Sequence, residues 1–437
     1  MTKETADSRR IVLVGGGCAG ANTALHLQRR LRRQLRSGAV EIVVINADPH
    51  LTYRSLLPEA AAGSVSPRHV LVPLRHVLPH CRVLVGEVTE VDHAERTVAV
   101  RTPGADEDGG RLRLSYDELV LAPGSVCPTA PVPGLADLGL GLRTVPEAIR
   151  LRNHVLAQLD IASTTRDAAV RDAALTFVVV GGGFAGVAAL AELEDMARAA
   201  SRHYGNLEAR ELRWLLVEAG GRILPEAGGT LGRHALRELR GRNVDVRLGT
   251  RLESCTERVA VLSDGSRHPT RTLLWTAGVR PHPLLATTGF PLTARGRLRC
   301  APTLRVEGTE HVWAAGDAAA VPDLAAGEEG KECAPHAQHA IRQARTLADN
   351  MISALQNRPL SNYRYAGTGS VAALGLHKGV ALLCGRRVRG YPAWFMHRAY
   401  HLSRVPTFRR KTRTLAEWTL SGLFTREIVA LGPPERP

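Results

Sequence analysis

Apolar and polar positions alternate along this chain in short blocks. Ile11-Val12-Leu13-Val14 is a continuous apolar run that reads as a buried strand, and Gly15-Gly16-Gly17 and Gly20 follow at once. Ala21 to Leu27 then has helical spacing, and Gln28 to Arg36 continues it with a dense basic face that reads as solvated. The same succession returns at Phe177-Val178-Val179-Val180, where the hexapeptide Gly181-Gly182-Gly183-Phe184-Ala185-Gly186 differs from the first only at Phe184 against Cys18. Other short runs predict strands at Glu41 to Ile45, Val83 to Val88, Val98 to Val100, Tyr116 to Leu121, Leu215 to Val217, Leu273 to Trp275 and Val312 to Ala314. Gly104 to Gly110 reads as a charged turn, Gly141 to Asp160 as a connecting helix, and Pro335 as the first turn of a helix through Met351.

A buried strand, a glycine turn and a helix in that order make a dinucleotide-binding turn. Gly15 allows the tight turn, Gly17 lets the backbone approach a pyrophosphate, Gly20 lets helix and strand pack closely, and the helix N-terminus offers N–H groups and partial positive charge. Gly181, Gly183 and Gly186 repeat those roles, so two nucleotide sites are predicted. An acid at the tip of the following strand usually takes the ribose hydroxyls. Glu218 stands at that tip in the second copy, which favours NADH over NADPH, and Arg222 is the residue able to weaken the preference. In the first copy Asn46 occupies the tip, with Asp48 close by, which alters the site without removing its hydrogen bonding. Small residues end a later strand in both copies, at Ala122-Pro123-Gly124-Ser125 and at Thr276-Ala277-Gly278. The loop Leu51 to Glu59 carries Tyr53 and Arg54, suited to a ring and a phosphate.

Composition narrows this to an ordinary globular chain: 437 residues, 44% of them apolar, with room for two or three domains. The net charge of +15 makes acidic surfaces such as anionic lipid plausible partners. Nucleic acid is the poorer choice, because only 4% of residues are aromatic and no recognition module or zinc-ligand spacing occurs. No metal site is expected. Seven scattered cysteines, without a paired motif, suggest a reducing, cytoplasmic compartment. Neither a secretory signal nor an apolar stretch able to span a bilayer is read.

From Arg386 to Arg426 there are ten Lys and Arg against one acid, Glu417. On a helical wheel Tyr391, Trp394, Phe395, Ala399, Leu402 and Val405 share one side, with Arg398 intruding, and Trp418, Leu420, Leu423 and Phe424 follow in a second helix. One reading is a helical cap over the core. The other is an interfacial surface in which Arg404, Arg409, Arg410, Lys411 and Arg413 meet anionic lipid.

With the two glycine turns, Ala122 to Ser125, Trp275-Thr276-Ala277-Gly278, Ala315-Gly316-Asp317, Ala337-Gln338, Gly369-Ser370-Val371-Ala372 through Lys378, and the aromatic and basic tail in this order, the chain resembles the two-dinucleotide-domain flavoprotein reductases. More closely it is similar to the type II, non-proton-pumping NADH:quinone oxidoreductases, over nearly its whole length. The resemblance implies an α/β fold with two Rossmann-like domains, the FAD domain discontinuous (8–145 and 291–365), the NADH domain inserted (146–290), and a C-terminal amphipathic helical region (366–437). It implies FAD on Gly15, Gly17, Gly20 and Asn46, with Arg54, Val88, Ala122 and Gly124 around it and Asp317 on the ribityl chain. It implies NADH on Gly181, Gly183, Gly186 and Glu218, beside Ala277 and Gly278. A quinone would reach the flavin near Gln338, and Lys378 would lie near the isoalloxazine; these two are the candidate catalytic residues. A peripheral place on the inner face of the cell membrane and a homodimer are both compatible with it.

Three positions depart from the family pattern: Asn46, Arg342 where a Gln is frequent, and Ala188 where a Glu is common. The missing carboxylate leaves the acceptor open between a quinone and a soluble or pathway-specific partner. A sulfide:quinone reductase would need flavin-facing thiols, for which Cys127 and Cys333 are the candidates. A flavin-stabilised binding or regulatory protein would keep the NADH site without the quinone reaction.

Overall fold

In the computed structural model, residues 8–104, 111–127, 131–225, 229–327, 330–365, 367, 369–383, 386–404, 408–423 and 428–432 are described. Most of the expected charged turn, Cys384, Val405 and Phe424 lie outside them, as do the side chains of Arg404, Arg409, Arg410, Leu420 and Leu423.

Along the chain run β1 (Arg9–Val14), α1 (Cys18–Arg30), β2 (Val40–Asn46), α2 (Leu57–Ala61), β3 (Arg82–Val85), β4 (Glu118–Leu121) and β5 (Gly139–Leu140). Then come α3 (Val145–Thr164), β6 (Thr176–Val180), α4 (Phe184–Ser201), β7 (Arg213–Glu218), α5 (Gly229–Gly241), β8 (Val244–Leu248) and β9 (Thr272–Trp275). The last elements used below are β10 (Val312–Ala314), α6 (Ala337–Leu355), β11 (Gly369–Ala373), β12 (Gly379–Leu383), β13 (Arg386–Arg389), α7 (Gly390–Arg404) and α8 (Phe408–Leu423).

The chain divides into two compact units. The first comprises Met1–Leu51, Val72–Cys127 and Val279–Ala366; the second comprises Thr52–Leu71, Pro128–Gly278 and Gly367–Pro437. Thr52–Leu71, with Arg54, therefore groups with the second unit although sequence order sets it within the first.

The central sheet of the first unit is parallel, in the order β10-β4-β1-β2-β3. Ile11, Val12, Leu13, Val43, Val44, Leu119 and Val120 are wholly buried, as strands covered on both faces must be. An antiparallel sheet of residues 87–92, 97–101 and 111–115 belongs to the same unit and contains Val88 opposite Val100.

The second unit repeats the plan, with β5-β9-β6-β7-β8 all parallel. Val14 pairs with Leu121 and Ile45, and Val180 pairs with Trp275 and Val217. In both sheets the glycine strand thus lies between the strand that carries the tip residue and the strand that ends in small residues. Phe177 stacks on Trp214 at 4.4 Å in the core of the second unit. An antiparallel sheet β11-β12-β13 leads into α7 and α8.

The run Val83 to Val88, which the sequence predicts as one strand, is split at Gly86 between the central and the antiparallel sheet of the first unit, the strand predicted from Tyr116 begins at Glu118, and three helices have bounds other than those predicted. The helix after the first turn starts at Cys18 and stops at Arg30, because Leu31 leaves helical geometry (φ −98°, ψ 21°) before a short further helix Arg32–Ser37. The connecting helix runs from Val145 to Thr164, since a capping box of Thr144 and Glu147 fixes its start. The helix predicted from Pro335 begins at Ala337, where the His336 side chain accepts from the Gln338 N–H at 3.1 Å.

Candidate functional site

In the first unit the chain closes on itself around the glycine turn. A Cβ on Gly15 would fall 2.2 Å from the Ala122 carbonyl oxygen, and one on Gly20 would fall 1.8 Å from the Gly15 carbonyl oxygen. Both positions are held to glycine by backbone. Gly17 is different: a Cβ there would meet nothing within 4 Å. It is the N-cap of α1, with no side-chain cap and no acid in the first turn, so the helix end presents N–H groups and positive potential to open space. That space fits a pyrophosphate.

Asn46 is tied into the turn. Its Oδ1 accepts from the Gly16 N–H at 2.8 Å, and its Nδ2 donates to the Asp48 carbonyl at 2.8 Å. Across the sheet, the Ala122 N–H donates to the Val14 carbonyl, and Gly124 has φ +80°. The Ser125 hydroxyl donates to Asp317 Oδ2 at 2.7 Å. Gly316, at φ +75°, lies 3.1 Å by its notional Cβ from Ala19 of α1 and 3.4 Å from Ala340 of α6, and its N–H donates to Gln343 Oε1 at 2.8 Å. Asp317 therefore stands where the first turns of α1 and α6 come together, and Gln338 is in that first turn of α6. A cavity of about 140 Å³ beside Asp317 and Ser125 is lined also by the exposed Arg280 and Arg295, which suit an anionic ligand, and by Arg297, which is buried and paired with Glu332.

The second unit carries the parallel construction. A Cβ on Gly186 would fall 1.9 Å from the Gly181 carbonyl oxygen, and one on Gly183, the N-cap of α4, would again meet nothing within 4 Å. Glu218 Oε2 accepts from the Gly182 N–H and Oε1 from the Gly220 N–H, both at 2.6 Å. The carboxylate does with two oxygens what Asn46 does with one. Thr276, which the glycine pattern does not signal, donates its hydroxyl to the Val180 carbonyl at 2.9 Å and closes the turn beside Ala277 and Gly278. Ala188 is half-buried on α4, and the exposed Arg54 and Arg222 also lie in this unit.

Lys378 sits in the β11-β12 turn, 3.4 Å from Glu238 Oε1 on α5. Arg242, just past α5, donates to the Leu374 carbonyl at 2.6 Å, and the Leu376 N–H donates to Asp195 Oδ2 of α4 at 2.5 Å. None of Arg242, Asp195 or Glu238 is marked by a sequence motif.

The tail helix α7 is two-sided. Tyr391, Phe395 and Ala399 are exposed, whereas Trp394, His397, Arg398 and His401 are buried. Arg398, expected to intrude on an apolar face, has its guanidinium 3.9 Å from the Trp394 ring centroid and 4.9 Å from that of Trp418. Two aromatic faces are what allow a charge to be buried there. His401 Nδ1 lies 3.0 Å from the Tyr53 hydroxyl, and His397 Nδ1 lies 3.7 Å from Glu59 Oε1. Burial, then the charges of His401 and Arg398, holds the His397 imidazole well below its ordinary pKa.

Of the two thiols weighed for sulfide chemistry, Cys333 is buried, and that burial pushes it up to about 11. A thiol held protonated is a poor nucleophile.

The type II NADH:quinone oxidoreductase of Staphylococcus saprophyticus is 29% identical over 395 residues, covering 89% of this chain and 93% of that protein. The type II NADH:quinone oxidoreductase Ndh of Mycobacterium tuberculosis is 27% identical, covering 97% and 90%. The structure of NDH2 from Plasmodium falciparum in complex with NADH superposes with a TM-score of 0.86 at 16% identity, over 97% of this chain and all of that one. The pyridine nucleotide-disulphide oxidoreductase model matches residues 9–344. Both glycine turns, both tip residues and Asp317 fall inside that span, and the chain belongs to the pyridine nucleotide-disulphide oxidoreductase family.

Proposed function

We propose that this protein transfers hydride from NADH to a bound FAD and passes the electrons to a quinone. The observation that carries the reading is the doubled nucleotide turn with unlike tips, Asn46 in one and Glu218 in the other. The names of the relatives support the donor and the acceptor. We assign FAD to the first unit and NADH to the second.

FAD supplies a carrier that takes two electrons from a nicotinamide and gives them to an acceptor. The protein's own residues bind and orient. The Gly17 N-cap and the end of α1 receive the pyrophosphate, and Asn46, through its links to Gly16 and Asp48, holds the adenosine end. Asp317, with Ser125 donating to one oxygen, has its carboxylate available to ribityl hydroxyls. The N-terminus of α6, with Gln338 in its first turn, stabilises negative charge that gathers beside it. Glu218 fixes the second turn at both ends and disfavours a 2′-phosphate. Lys378 supplies a positive charge for the acceptor reaction.

No helix among the described residues is long and apolar enough to cross a membrane. The exposed Tyr391 and Phe395 (58% and 59% exposed), with the exposed Arg386, Arg387 and Arg389 of β13, support peripheral contact with an anionic bilayer, which we assign to the inner face of the cell membrane. A second copy of the chain as partner is compatible with that arrangement.

The test is anaerobic mixing of the flavin-loaded protein with NADH and then with a ubiquinone or menaquinone analogue. Bleaching by NADH followed by recovery of the flavin spectrum on adding quinone is expected. Bleaching without recovery refutes the quinone as acceptor, and protein that takes up no flavin refutes the reading entirely. Flotation with anionic liposomes at low salt tests the membrane contact, and failure to float favours a soluble acceptor.

A further inference from the structure

The turn that carries Lys378 is gripped at three successive points by two helices of its own unit. Arg242 Nη1 donates to the Leu374 carbonyl at 2.6 Å, Asp195 Oδ2 accepts from the Leu376 N–H at 2.5 Å, and Glu238 Oε1 lies 3.4 Å from Lys378 Nζ. We propose that Arg242, Asp195 and Glu238 are positioning residues that fix Lys378 for reaction with the electron acceptor. The inference rests on the role given to Lys378 above.

The grip is more elaborate than a hairpin needs. Glu238 in the last turn of α5 and Arg242 just past its end both reach the turn. Arg242 is buried, and its Nη2 also donates to Asp195 Oδ1 at 2.7 Å, to the Ala191 carbonyl at 3.0 Å and to Glu194. A guanidinium is buried at large cost unless its donors are satisfied, and here both terminal nitrogens are engaged by the turn and by α4, while Nε has no hydrogen-bond partner among the described residues. Glu192 and Glu194 of α4 lie on the same side of the balance. Burial pushes the Asp195 carboxyl up to about 6, with Arg242 opposing the rise and the two glutamates adding to it.

The turn has been shaped to receive this carboxylate. Gly375 is buried at φ +95°, and a Cβ on it would fall 2.0 Å from Asp195 Oδ2. His377 takes a left-handed φ of +62°, a conformation a non-glycine residue keeps only where its surroundings impose it. Its ring packs at 4.8 Å on Trp394 at the start of α7. The Lys378–Glu238 pair itself is partly exposed, at 42% and 34%, so it adds little to stability. Its effect is to confine a long, flexible ammonium to one place.

The test uses full-length, flavin-loaded Glu238→Ala, Asp195→Ala and Asp195→Asn, each alone and with Lys378→Met, and thermal melts confirm folding. The expected result is a loss of about tenfold in flavin reoxidation by a quinone analogue in the two alanine variants, with reduction by NADH within about twofold of wild type. Asp195→Asn, which keeps an acceptor for the Leu376 N–H but turns its NH₂ toward the Arg242 guanidinium, recovers part of the loss. In the Lys378→Met background none of the three changes lowers reoxidation further, because the residues act through that side chain. In flavin-free protein, amide exchange at Leu376 is about tenfold faster in Asp195→Ala than in wild type or Asp195→Asn. Losses that multiply in the Lys378→Met background, or alanine variants that match wild type, overturn the inference while a wild type that reduces quinone keeps the functional reading intact. A wild type reduced by NADH yet unable to reduce quinone refutes that reading and the inference with it.

Discussion

Replacing Glu218 by glutamine changes one oxygen for an amide nitrogen, and the structure fixes what that does. Glu218 accepts two backbone hydrogen bonds at 2.6 Å, from Gly182 inside the glycine turn and from Gly220 beyond the strand. A glutamine carbonyl can replace one acceptor, but its NH₂ then faces the N–H that the other oxygen served, donor against donor. Asn46 escapes the same conflict only because its NH₂ finds the Asp48 carbonyl. The loss is one charge-assisted hydrogen bond, about 1.5–3 kcal/mol, and the lower end applies because Glu218 is partly open to water. At about 1.4 kcal/mol per factor of ten, NADH binding weakens about tenfold to thirtyfold. Stopped-flow reduction of the flavin over a range of NADH concentrations reads this as a rise in the half-saturating concentration. Flavin content stays at the wild-type level, because Glu218 and the first turn lie in separate units. An unchanged NADH affinity, or a loss of flavin in place of NADH, refutes the reasoning.

Asn46→Ala removes the acceptor for Gly16 and the donor to Asp48, so flavin affinity falls by about 1–1.5 kcal/mol, roughly tenfold, while NADH affinity is unchanged; fluorescence of released flavin measures it. Arg398→Met keeps the aliphatic packing but deletes the cation held by Trp394 and Trp418, which costs the tail helices about 1–2 kcal/mol, and hydrogen exchange in α7 and α8 equal to wild type would count against it. Because the folded protein holds His397 neutral while the unfolded chain takes up a proton below about pH 6.5, His397 makes stability fall as pH drops below that value, by up to about 1.4 kcal/mol per pH unit. Thermal melts between pH 7.5 and 5.5 should show a smaller decline in His397→Asn, and parallel declines would remove His397 as the cause. Ala188→Glu restores a carboxylate on α4 and should raise quinone turnover more than reduction by NADH; equal effects on both half-reactions speak against proton delivery from that position.

What was legible in the sequence is what backbone geometry forces. Gly15, Gly20 and Gly186 sit where a Cβ would overlap a carbonyl oxygen, Gly181 has φ +114° with Thr276 Oγ1 and the Ala277 nitrogen within 3 Å of its notional Cβ, and strands buried on both faces cannot avoid continuous apolar runs. The Thr-x-x-Glu of the capping box, Thr144 to Glu147, is the signal that sets the start of the connecting helix at Val145 and not at Gly141. Contacts made across long separations left no such trace. Arg242 meets the Leu374 carbonyl 132 residues away, and Asp195 meets the Leu376 amide 181 residues away. An arginine or aspartate at the end of an amphipathic helix looks like surface until its partner is known. Gly375 and His377 were the local hint, a glycine and a positive-φ residue in a turn, but a hairpin turn explains a glycine without any carboxylate behind it.

The tail shows the same limit from the other side. A helical wheel puts Tyr391, Trp394 and Phe395 together because it sums hydrophobicity around an axis, and it treats Arg398 as an intrusion. In the folded unit the same helix buries Trp394, His397, Arg398 and His401 while leaving Tyr391, Phe395 and Ala399 outside. The buried face is therefore more polar than the exposed one. Two of the buried polar groups have specific partners, two indole faces for Arg398 and the Tyr53 hydroxyl for His401, whereas His397 Nδ1 lies 3.7 Å from Glu59, beyond hydrogen-bond reach. A helix whose apolar stripe points away from its own core has that stripe to offer elsewhere. The peripheral contact with an anionic bilayer proposed above would give Tyr391 and Phe395 an apolar partner and the arginines of β13 a charged one at once.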